Sequence, residues 1–260
     1  MDTTYSASDM MTVAAARRLN DGAVCFVGIG LPSTAANLAR LSHAPNVSLI
    51  YESGTIGAKP AVLPLSIGDG ELATTADTVV STPEIFRYYL QGGRIDVGFL
   101  GAAQIDRFAN INTTVIGPYR SPKTRLPGAG GAPEIAALAG EVLIIIRQSR
   151  RSFVQKLDFI TSAGFLEGGE SRKRAGLPGK GPTAVITDLC IFEPDPVTRE
   201  LSVVCIHPGV QREAIQAATD WPVRYAADVA TTEAPTRSEL ETLRDLLKRT
   251  AAAHGEVASG

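Results

Sequence analysis

Cysteine, histidine and aromatic residues are scarce in this sequence, and their scarcity excludes several kinds of site. The three cysteines form no CxxC pair and each lies in an apolar run, so we predict reduced core thiols in a cytoplasmic protein. The three histidines lack metal-ligand spacing to each other or to the cysteines, so we expect no metal site. Neither a Ser-His-Asp set nor a phosphate-binding P-loop can be assembled.

Strong charge and long apolar runs are also missing. A net charge of −2 gives no support for binding to nucleic acid or to a membrane surface. No apolar run reaches the length of a membrane span, and the first residues do not resemble a signal peptide. The 260 residues contain no repeat and no clear linker. We therefore predict one domain over residues 1–260, with a frayed tail from about residue 253.

Short apolar runs alternate with amphipathic stretches along the first 150 residues. The predicted strands cover 23–27, 47–51, 95–100, 111–116 and 141–146, and the predicted helices cover about 8–19, 33–41, 82–91, 134–138, 210–218 and 238–252. This alternation is typical of an α/β fold with an open, mostly parallel sheet and helices on both faces. Two later runs, 183–191 and 201–206, flank a proline-containing turn at 193–196 and predict a late antiparallel portion. The last helix is predicted to open with a capping box of Ser238 and Glu241.

Glu52 follows the second predicted strand and precedes a Ser-Gly turn. Parallel sheets bind their ligands at the carboxyl ends of the strands. A lone carboxylate there can be a nucleophile, a ribose-binding acid or a turn residue, and its position alone leaves all three open. A nucleophilic carboxylate needs donors for the oxyanion that it creates. The glycine-rich loop 126–133, which contains Gly130 and Gly131, can supply backbone N–H groups.

Two further groups of residues allow a functional and a structural interpretation. Gly28 and Gly30 lie between a strand and a helix, where an anion is favoured, and Glu52 follows at the spacing of a ribose-binding acid. A dinucleotide site and an unliganded turn are therefore both open for these glycines. Gln104 and Asn112 follow the third predicted strand, where their amides can orient a substrate or cap turns.

Several motifs occur in an order that resembles a known family. They are Val27-Gly28-Ile29-Gly30-Leu31-Pro32, Glu52-Ser53-Gly54, Gly101-Ala102-Ala103-Gln104-Ile105-Asp106, Asn110-Ile111-Asn112, Pro122-Lys123-Thr124-Arg125, Gly128-Ala129-Gly130-Gly131-Ala132 and Arg172-Lys173-Arg174-Ala175-Gly176-Leu177-Pro178-Gly179. Over about residues 8–225, the chain resembles the β-type subunits of family I CoA-transferases. Within that family it is most similar to the β-type subunit of glutaconate CoA-transferase.

The resemblance implies that Glu52 is the nucleophile. It would attack an acyl-CoA and pass through a mixed anhydride to a glutamyl-CoA thioester, with ping-pong kinetics. Gly130 and Gly131 would supply the oxyanion hole, while Gln104 and Asn112 would orient the acyl or carboxylate group.

The resemblance also implies contacts with coenzyme A, which is a substrate together with acyl-CoA, so no cofactor is expected. Gly28, Gly30, Lys123 and Arg125 are the candidate CoA-binding residues. The basic cluster 172–174 is a further candidate, although a solvated charge run explains it equally well.

A separate partner is expected because the chain holds no second copy of the fold, and the family's site lies between two homologous subunits. We expect an α-type subunit in an αβ unit that assembles to α2β2 or α4β4. The acid is left open among dicarboxylates, 3-oxo acids and related acids, since residues 55–58 depart from the glutaconate enzyme. One alternative is a CoA-thioester hydrolase or decarboxylase of the same fold. Another is a non-catalytic dinucleotide-binding module.

Overall fold

The computed structural model of the chain describes residues 4–255. Its strands are β1 (Val24–Val27), β2 (Ser48–Ile50), β3 (Thr55–Ile56), β4 (Thr78–Val79), β5 (Val97–Gly101), β6 (Gln104–Ile105), β7 (Ile111–Asn112), β8 (Val115–Ile116), β9 (Thr124–Arg125), β10 (Glu141–Ile145), β11 (Pro182–Ile186), β12 (Cys190–Pro194), β13 (Leu201–Ile206) and β14 (Arg224–Thr231). Its helices are α1 (Ala7–Ala16), α2 (Leu31–Leu41), α3 (Gly70–Thr74), α4 (Thr82–Glu84), α5 (Ala132–Leu138), α6 (Ser171–Arg174), α7 (Arg212–Ala217) and α8 (Arg237–His254), and a π-helical turn (Ile85–Leu90) continues α4.

Ten strands form one sheet in the order β14-β13-β12-β11-β10-β5-β1-β2-β3-β4. The five central strands, β11, β10, β5, β1 and β2, are mutually parallel, so their carboxyl ends share one edge. β12 and β13 continue the sheet in antiparallel pairs, and β14 then runs parallel to β13. The predicted α/β fold, with its mostly parallel sheet and late antiparallel portion, is confirmed.

The central strands are buried on both faces, which explains their continuous apolar runs. Along β1, Cys25 and Val27 point into one core and Phe26 into the other. Helices α1, α2 and α8 cover the first face, and α5 and α7 cover the second. The predicted placement of helices on both faces is therefore confirmed. Among residues 4–255, no helix combines the length and the apolar character that crossing a membrane requires.

Close packing of α5 on β5 depends on Gly98. A β-carbon on Gly98 would lie 2.4 Å from Cγ2 of Ile135 and 3.2 Å from Cβ of Ala139. Since contacts under about 3 Å do not occur between real side chains, only glycine lets the helix approach the strand so closely. The first turn of α5 is thereby held at the edge of the sheet where the parallel strands end.

Two of the strand predictions and one turn prediction are wrong in detail. Residues 111–116 form two short strands outside the main sheet, β7 and β8, because the chain bends at Asn112. The run 183–191 is broken by a turn in which the Thr187 hydroxyl accepts hydrogen bonds from the Leu189 and Cys190 N–H groups. The predicted turn at 193–196 begins later, since β12 continues to Pro194. The edge strand β14 was not predicted, because most of its side chains are exposed and its sequence contains no apolar run.

The helix predictions differ mainly at the ends. The capping box of α8 is formed by Thr236 and Glu239 rather than by Ser238 and Glu241. That of α1 is formed by Ser6 and Asp9. The predicted frayed tail was placed from about residue 253, but α8 continues to His254. The part of the tail from 256 to 260 lies outside the described residues.

Arg17 and Glu239 connect the ends of α1 and α8. Their side chains form two hydrogen bonds of 2.7 Å, and Arg17 also donates to the Glu233 and Ala234 carbonyls. Burial alone raises the pKa of Glu239, but hydrogen bonds from Arg17 and from Thr236 outweigh it and lower this pKa to about 2. The ionised form of Glu239 therefore contributes stability above its ordinary pKa of 4.5, and this contribution is lost as the pH falls towards 2.

Glu239→Gln should lower the free energy of unfolding by about 1–2 kcal/mol at neutral pH, because it removes one charge-assisted pair. The difference from the wild type should shrink below pH 4.5 and vanish near pH 2, as followed by chemical denaturation. Glu241→Gln, which affects an exposed pair on the same helix, is the matched control. A deficit of the Glu239 variant that persisted in acid would contradict the assignment.

Candidate active site

Glu52 lies in a tight turn between β2 and β3. The turn is closed by two backbone hydrogen bonds, from Gly54 N–H to the Tyr51 carbonyl at 3.0 Å and from Tyr51 N–H to the Thr55 carbonyl at 3.1 Å. Gly54 has φ +100°, and a β-carbon there would lie 1.9 Å from the Val80 carbonyl oxygen, so only glycine fits. The backbone thus holds Glu52 at the carboxyl end of β2, as predicted.

The carboxylate of Glu52 is half-buried, yet it accepts no hydrogen bond and forms no ion pair within residues 4–255. Its backbone carbonyl accepts a hydrogen bond from the Thr82 hydroxyl at 3.4 Å. Nothing in the described part of the chain therefore ties the carboxylate to a fixed position. An unpartnered carboxylate at a sheet edge is therefore available for chemistry.

Gly130 and Gly131 lie against this carboxylate. A β-carbon on Gly130 would be 3.4 and 3.5 Å from the two Glu52 carboxylate oxygens, and one on Gly131 would be 3.3 Å from Cδ. In the described part of the chain, the N–H groups of these glycines donate no hydrogen bond, whereas the next, that of Ala132, donates to the Ala129 carbonyl. The loop predicted to approach Glu52 thus brings two free backbone donors beside it.

Gln104 and Asn112 are buried, at 7% and 0% exposure. The Asn112 side-chain amide donates to Oε1 of Gln104 at 2.8 Å and to the Val115 carbonyl at 2.7 Å. Its oxygen accepts from the Thr114 N–H at 2.9 Å. The next residues in turn accept hydrogen bonds from the glycine-rich loop, where the Gly128 N–H donates to the Thr113 carbonyl. In this geometry the two amides support the loop, and their substrate-orienting role stays a prediction.

A cleft of about 460 Å³ opens beside Glu52's strand, at the carboxyl ends of β1, β5 and β10. The chain reverses direction across the sheet between β1 and β5, and such switch points are the usual ligand sites of open α/β sheets. Gly28 and Gly30 flank Ile29 in the cleft wall, and Gly30 is the N-cap of α2. Arg147 and Arg151 line the opposite side and form no ion pair within the described residues.

The other two candidate CoA-binding residues lie elsewhere. Lys123 and Arg125 are exposed on the hairpin of β8 and β9, which among the described residues contributes nothing to the lining of the cleft. The Arg125 guanidinium stacks over the Tyr119 ring at 4.9 Å and donates to the Tyr119 carbonyl. Of the four candidates, Gly28 and Gly30 therefore lie next to a residue that lines the cleft, and Lys123 and Arg125 lie on this hairpin.

Neither sequence interpretation of the basic cluster fits Arg172. Its guanidinium is buried and donates to five backbone carbonyls, which belong to Ala136, Ala137, Ala163, Gly164 and Gly179. Burial lowers the pKa of Arg172 to about 10, so the group stays charged at neutral pH. Two of these carbonyls belong to the last turn of α5, so Arg172 anchors the helix whose N-cap is Gly131. Lys173, in contrast, is exposed and pairs with Glu170.

Three residues near the site were not predicted. Arg147 follows an apolar run directly, as Glu52 does, and this position was the available signal, whereas Arg151 lies four residues further along the chain. Phe86, in the π-helical turn, packs so closely on Gly131 that a β-carbon there would lie 2.5 Å from its Cζ. No sequence pattern indicates that contact. No group of three or more metal-binding side chains is found in residues 4–255.

These features define an α/β protein with a half-buried carboxylate at the edge where its parallel strands end. Residues 8–218 match the family of coenzyme A transferases. The chain belongs to the coenzyme A transferase family. The resemblance drawn from the sequence motifs and the predicted enzyme class are both confirmed.

Two relatives cover nearly the whole chain. The B subunit of 3-oxoadipate CoA-transferase from Pseudomonas knackmussii is 71% identical over 97% of both chains. The B subunit of glutaconate CoA-transferase from Acidaminococcus fermentans is 33% identical over 94% of this chain and 92% of its own. The crystal structure of the A. fermentans enzyme superposes with a TM-score of 0.86, at 32% identity over 93% of this chain and 94% of that chain.

Gly131→Ala should reduce CoA transfer about a hundredfold or more, because the added methyl would displace Phe86 or the Glu52 carboxylate and disturb a backbone donor. Steady-state kinetics and thermal unfolding should be measured together. Gly70→Ala is the matched control, since no atom lies within 4 Å of that added methyl. Full activity of the Gly131 variant would contradict the role of the loop.

Proposed function

We propose that this chain is the β-type subunit of a CoA-transferase that moves CoA onto 3-oxoadipate or a closely similar dicarboxylic 3-oxo acid. The observation that carries the proposal is the unpartnered Glu52 carboxylate beside the free N–H groups of Gly130 and Gly131. The choice of acid is supported by the 71% identical relative, which matches this chain almost from end to end.

The reaction proceeds in four steps, each of which makes or breaks a bond to the Glu52 carboxyl group. A carboxylate oxygen attacks the acyl-CoA carbonyl, the C–S bond breaks, and a mixed anhydride and CoA thiolate result. The thiolate attacks Cδ of Glu52, which frees the first acid and leaves a glutamyl-CoA thioester. The acceptor carboxylate attacks Cδ and releases the thiolate, which then takes the new acyl group and restores Glu52.

Each attack on a carbonyl carbon creates a tetrahedral oxyanion. Its negative charge is best stabilised by groups that need not reorient as the charge develops. Backbone donors held beside the reacting carbon do this at low cost, since they are oriented before the charge develops. Gly130 and Gly131 provide such donors next to Cδ of Glu52. Gln104 and Asn112 contribute by orienting the acid, directly or through the loop that they support.

Coenzyme A carries phosphates, so its site needs cations that are not already paired. Arg147 and Arg151 meet this need in the cleft beside Gly28 and Gly30. Guanidinium groups bind phosphate oxygens in a bidentate manner. Lys123 and Arg125 are proposed as further contacts from the neighbouring hairpin. Coenzyme A and acyl-CoA act as substrates, and no resident cofactor is proposed.

The active enzyme is proposed to contain an α-type partner subunit in an αβ unit that assembles to α2β2 or α4β4 in the cytoplasm. Both relatives are named as B subunits, which supports a partner. Glu52 is only half-buried, and the exposed Gly130 beside it leaves one side of the site open. A second subunit would close that side.

Glu52→Gln should reduce transfer by the assembled enzyme at least about a thousandfold, because an amide cannot form the anhydride. After incubation with acyl-CoA and no acceptor, peptide mass spectrometry should find CoA on the wild-type peptide that contains Glu52, and none on the variant. Glu213→Gln, at an exposed position on α7, serves as the control. An adduct on another residue would refute the assignment.

A panel of acceptor acids tests the proposed substrate. With acetyl-CoA or succinyl-CoA as donor, kcat/KM for 3-oxoadipate should exceed that for glutaconate and for acetate at least about tenfold. Chromatography of the new acyl-CoA and an assay of free thiol separate transfer from simple release. Thiol release without a new thioester would identify a hydrolase or a decarboxylase instead.

A further inference from the structure

The helix that starts at Thr82 changes its register beside the active site. It opens with a capping box of Ser81 and Glu84, and then widens into the π-helical turn 85–90. Within this turn the Gln91 N–H donates to the Phe86 carbonyl at 2.8 Å, a bond that spans five residues instead of four. Such turns are rare, and they often occur at functional sites because they redirect side chains.

The redirected side chain is that of Phe86. Its ring is half-buried and packs against Phe26 of β1, with ring centres 5.8 Å apart. A β-carbon on Gly131 would lie 2.5 Å from Cζ of Phe86 and 3.3 Å from Cδ of Glu52. The edge of the ring and the carboxyl carbon of Glu52 therefore lie within a few ångströms of the same point beside Gly131.

Within residues 4–255, the side-chain hydrogen bond made to Glu52 comes from the Thr82 hydroxyl, and it goes to the backbone carbonyl rather than to the carboxylate. In residues 4–255, the Glu52 carboxylate has no hydrogen-bond donor and no cation as partner. The backbone of Gly130 and Gly131 lies against the carboxylate, and the Phe86 ring packs on Gly131. An apolar ring cannot orient water, so it lowers the chance that a water molecule sits ready to attack Cδ.

We propose that Phe86 protects the glutamyl-CoA thioester from hydrolysis and so determines how much CoA reaches the acceptor acid. This inference rests on the proposed function, because the thioester forms at Cδ of Glu52. Water attacking Cδ would break the C–S bond, restore the Glu52 carboxylate and release CoA as the thiol. The acceptor carboxylate attacks the same carbon, so exclusion of water favours transfer without any change in the transfer chemistry.

A purely structural role makes a different prediction. Phe86 also packs against the core that contains Phe26 and Ile135, and removal of the ring would lower stability in either case. Core packing alone, however, would not change the lifetime of the thioester in enzyme that remains folded. The lifetime of the intermediate therefore distinguishes protection from packing.

The experiment uses the assembled enzyme with its α-type partner, in wild-type form and with Phe86→Leu or Phe86→Ala. Each enzyme is loaded with acyl-CoA, freed of excess substrate and incubated without acceptor, and intact mass and free thiol report the decay of glutamyl-CoA. We expect decay about tenfold faster in Phe86→Ala and a smaller acceleration in Phe86→Leu, which lacks the Cζ atom that contacts Gly131. Tyr88→Ala, which removes a 57% exposed ring from the same turn, should leave the decay unchanged.

Two results would overturn the inference. One is an unchanged thioester lifetime in folded, assembled Phe86 variants, which would leave Phe86 as a packing residue while the Glu52 adduct still supported the proposed function. The other is the absence of any glutamyl-CoA in the wild type, which would refute the proposed function and the inference with it. Phe86→Leu keeps most of the apolar volume, so it gives a result even if Phe86→Ala does not fold.

Discussion

The active site depends on the contact between α5 and β5 at Gly98. Without a side chain at that position, Ile135 and Ala139 lie directly on the strand, and the helix can reach the sheet edge with its first turn. The approach of the glycine-rich loop to Glu52 follows from this contact. The glycine-rich loop leads into α5, and Phe86 packs against the residue that caps it. A larger residue at position 98 would push α5 outward, and it would move the glycine-rich loop and the Phe86 contact away from the Glu52 carboxylate.

Polar groups support the same helix from both ends. At its carboxyl end, Arg172 donates to the last carbonyls, and at its amino end Gly131, the N-cap, lies against the Glu52 carboxylate. A cation at the end of a helix and an anion at its start both agree with the direction of the peptide dipoles. The loop itself is held by the segment after Asn112, whose amide is fully engaged. Hydrogen bonds thus hold the backbone around the site, while the Glu52 carboxylate has no hydrogen-bond partner in the described residues.

The sequence predicts the centre of this structure much better than its periphery. The buried parallel strands are recognisable as apolar runs bounded by glycine, and Glu52 could be placed at a strand end because such runs stop abruptly. The proximity of Gly130 to Glu52 followed from the chemistry of a carboxylate nucleophile and from the family motifs. Arg172 was misinterpreted because a buried arginine and a solvated one look alike in sequence. β14 was missed because a polar edge strand has no periodic signal.

During synthesis, β1 leaves the ribosome long before β5, its neighbour in the sheet. Glu52 emerges in the first quarter of the chain, but α5 and β10 follow only after residue 130. One edge of β1 has no partner until β5 emerges, and one edge of β5 then has none until β10 emerges. Non-local pairing of this kind is slow. The nascent chain thus carries Glu52 first, and the elements that surround this carboxylate follow last. An interrupted chain would present an open, aggregation-prone strand edge instead of a weak enzyme.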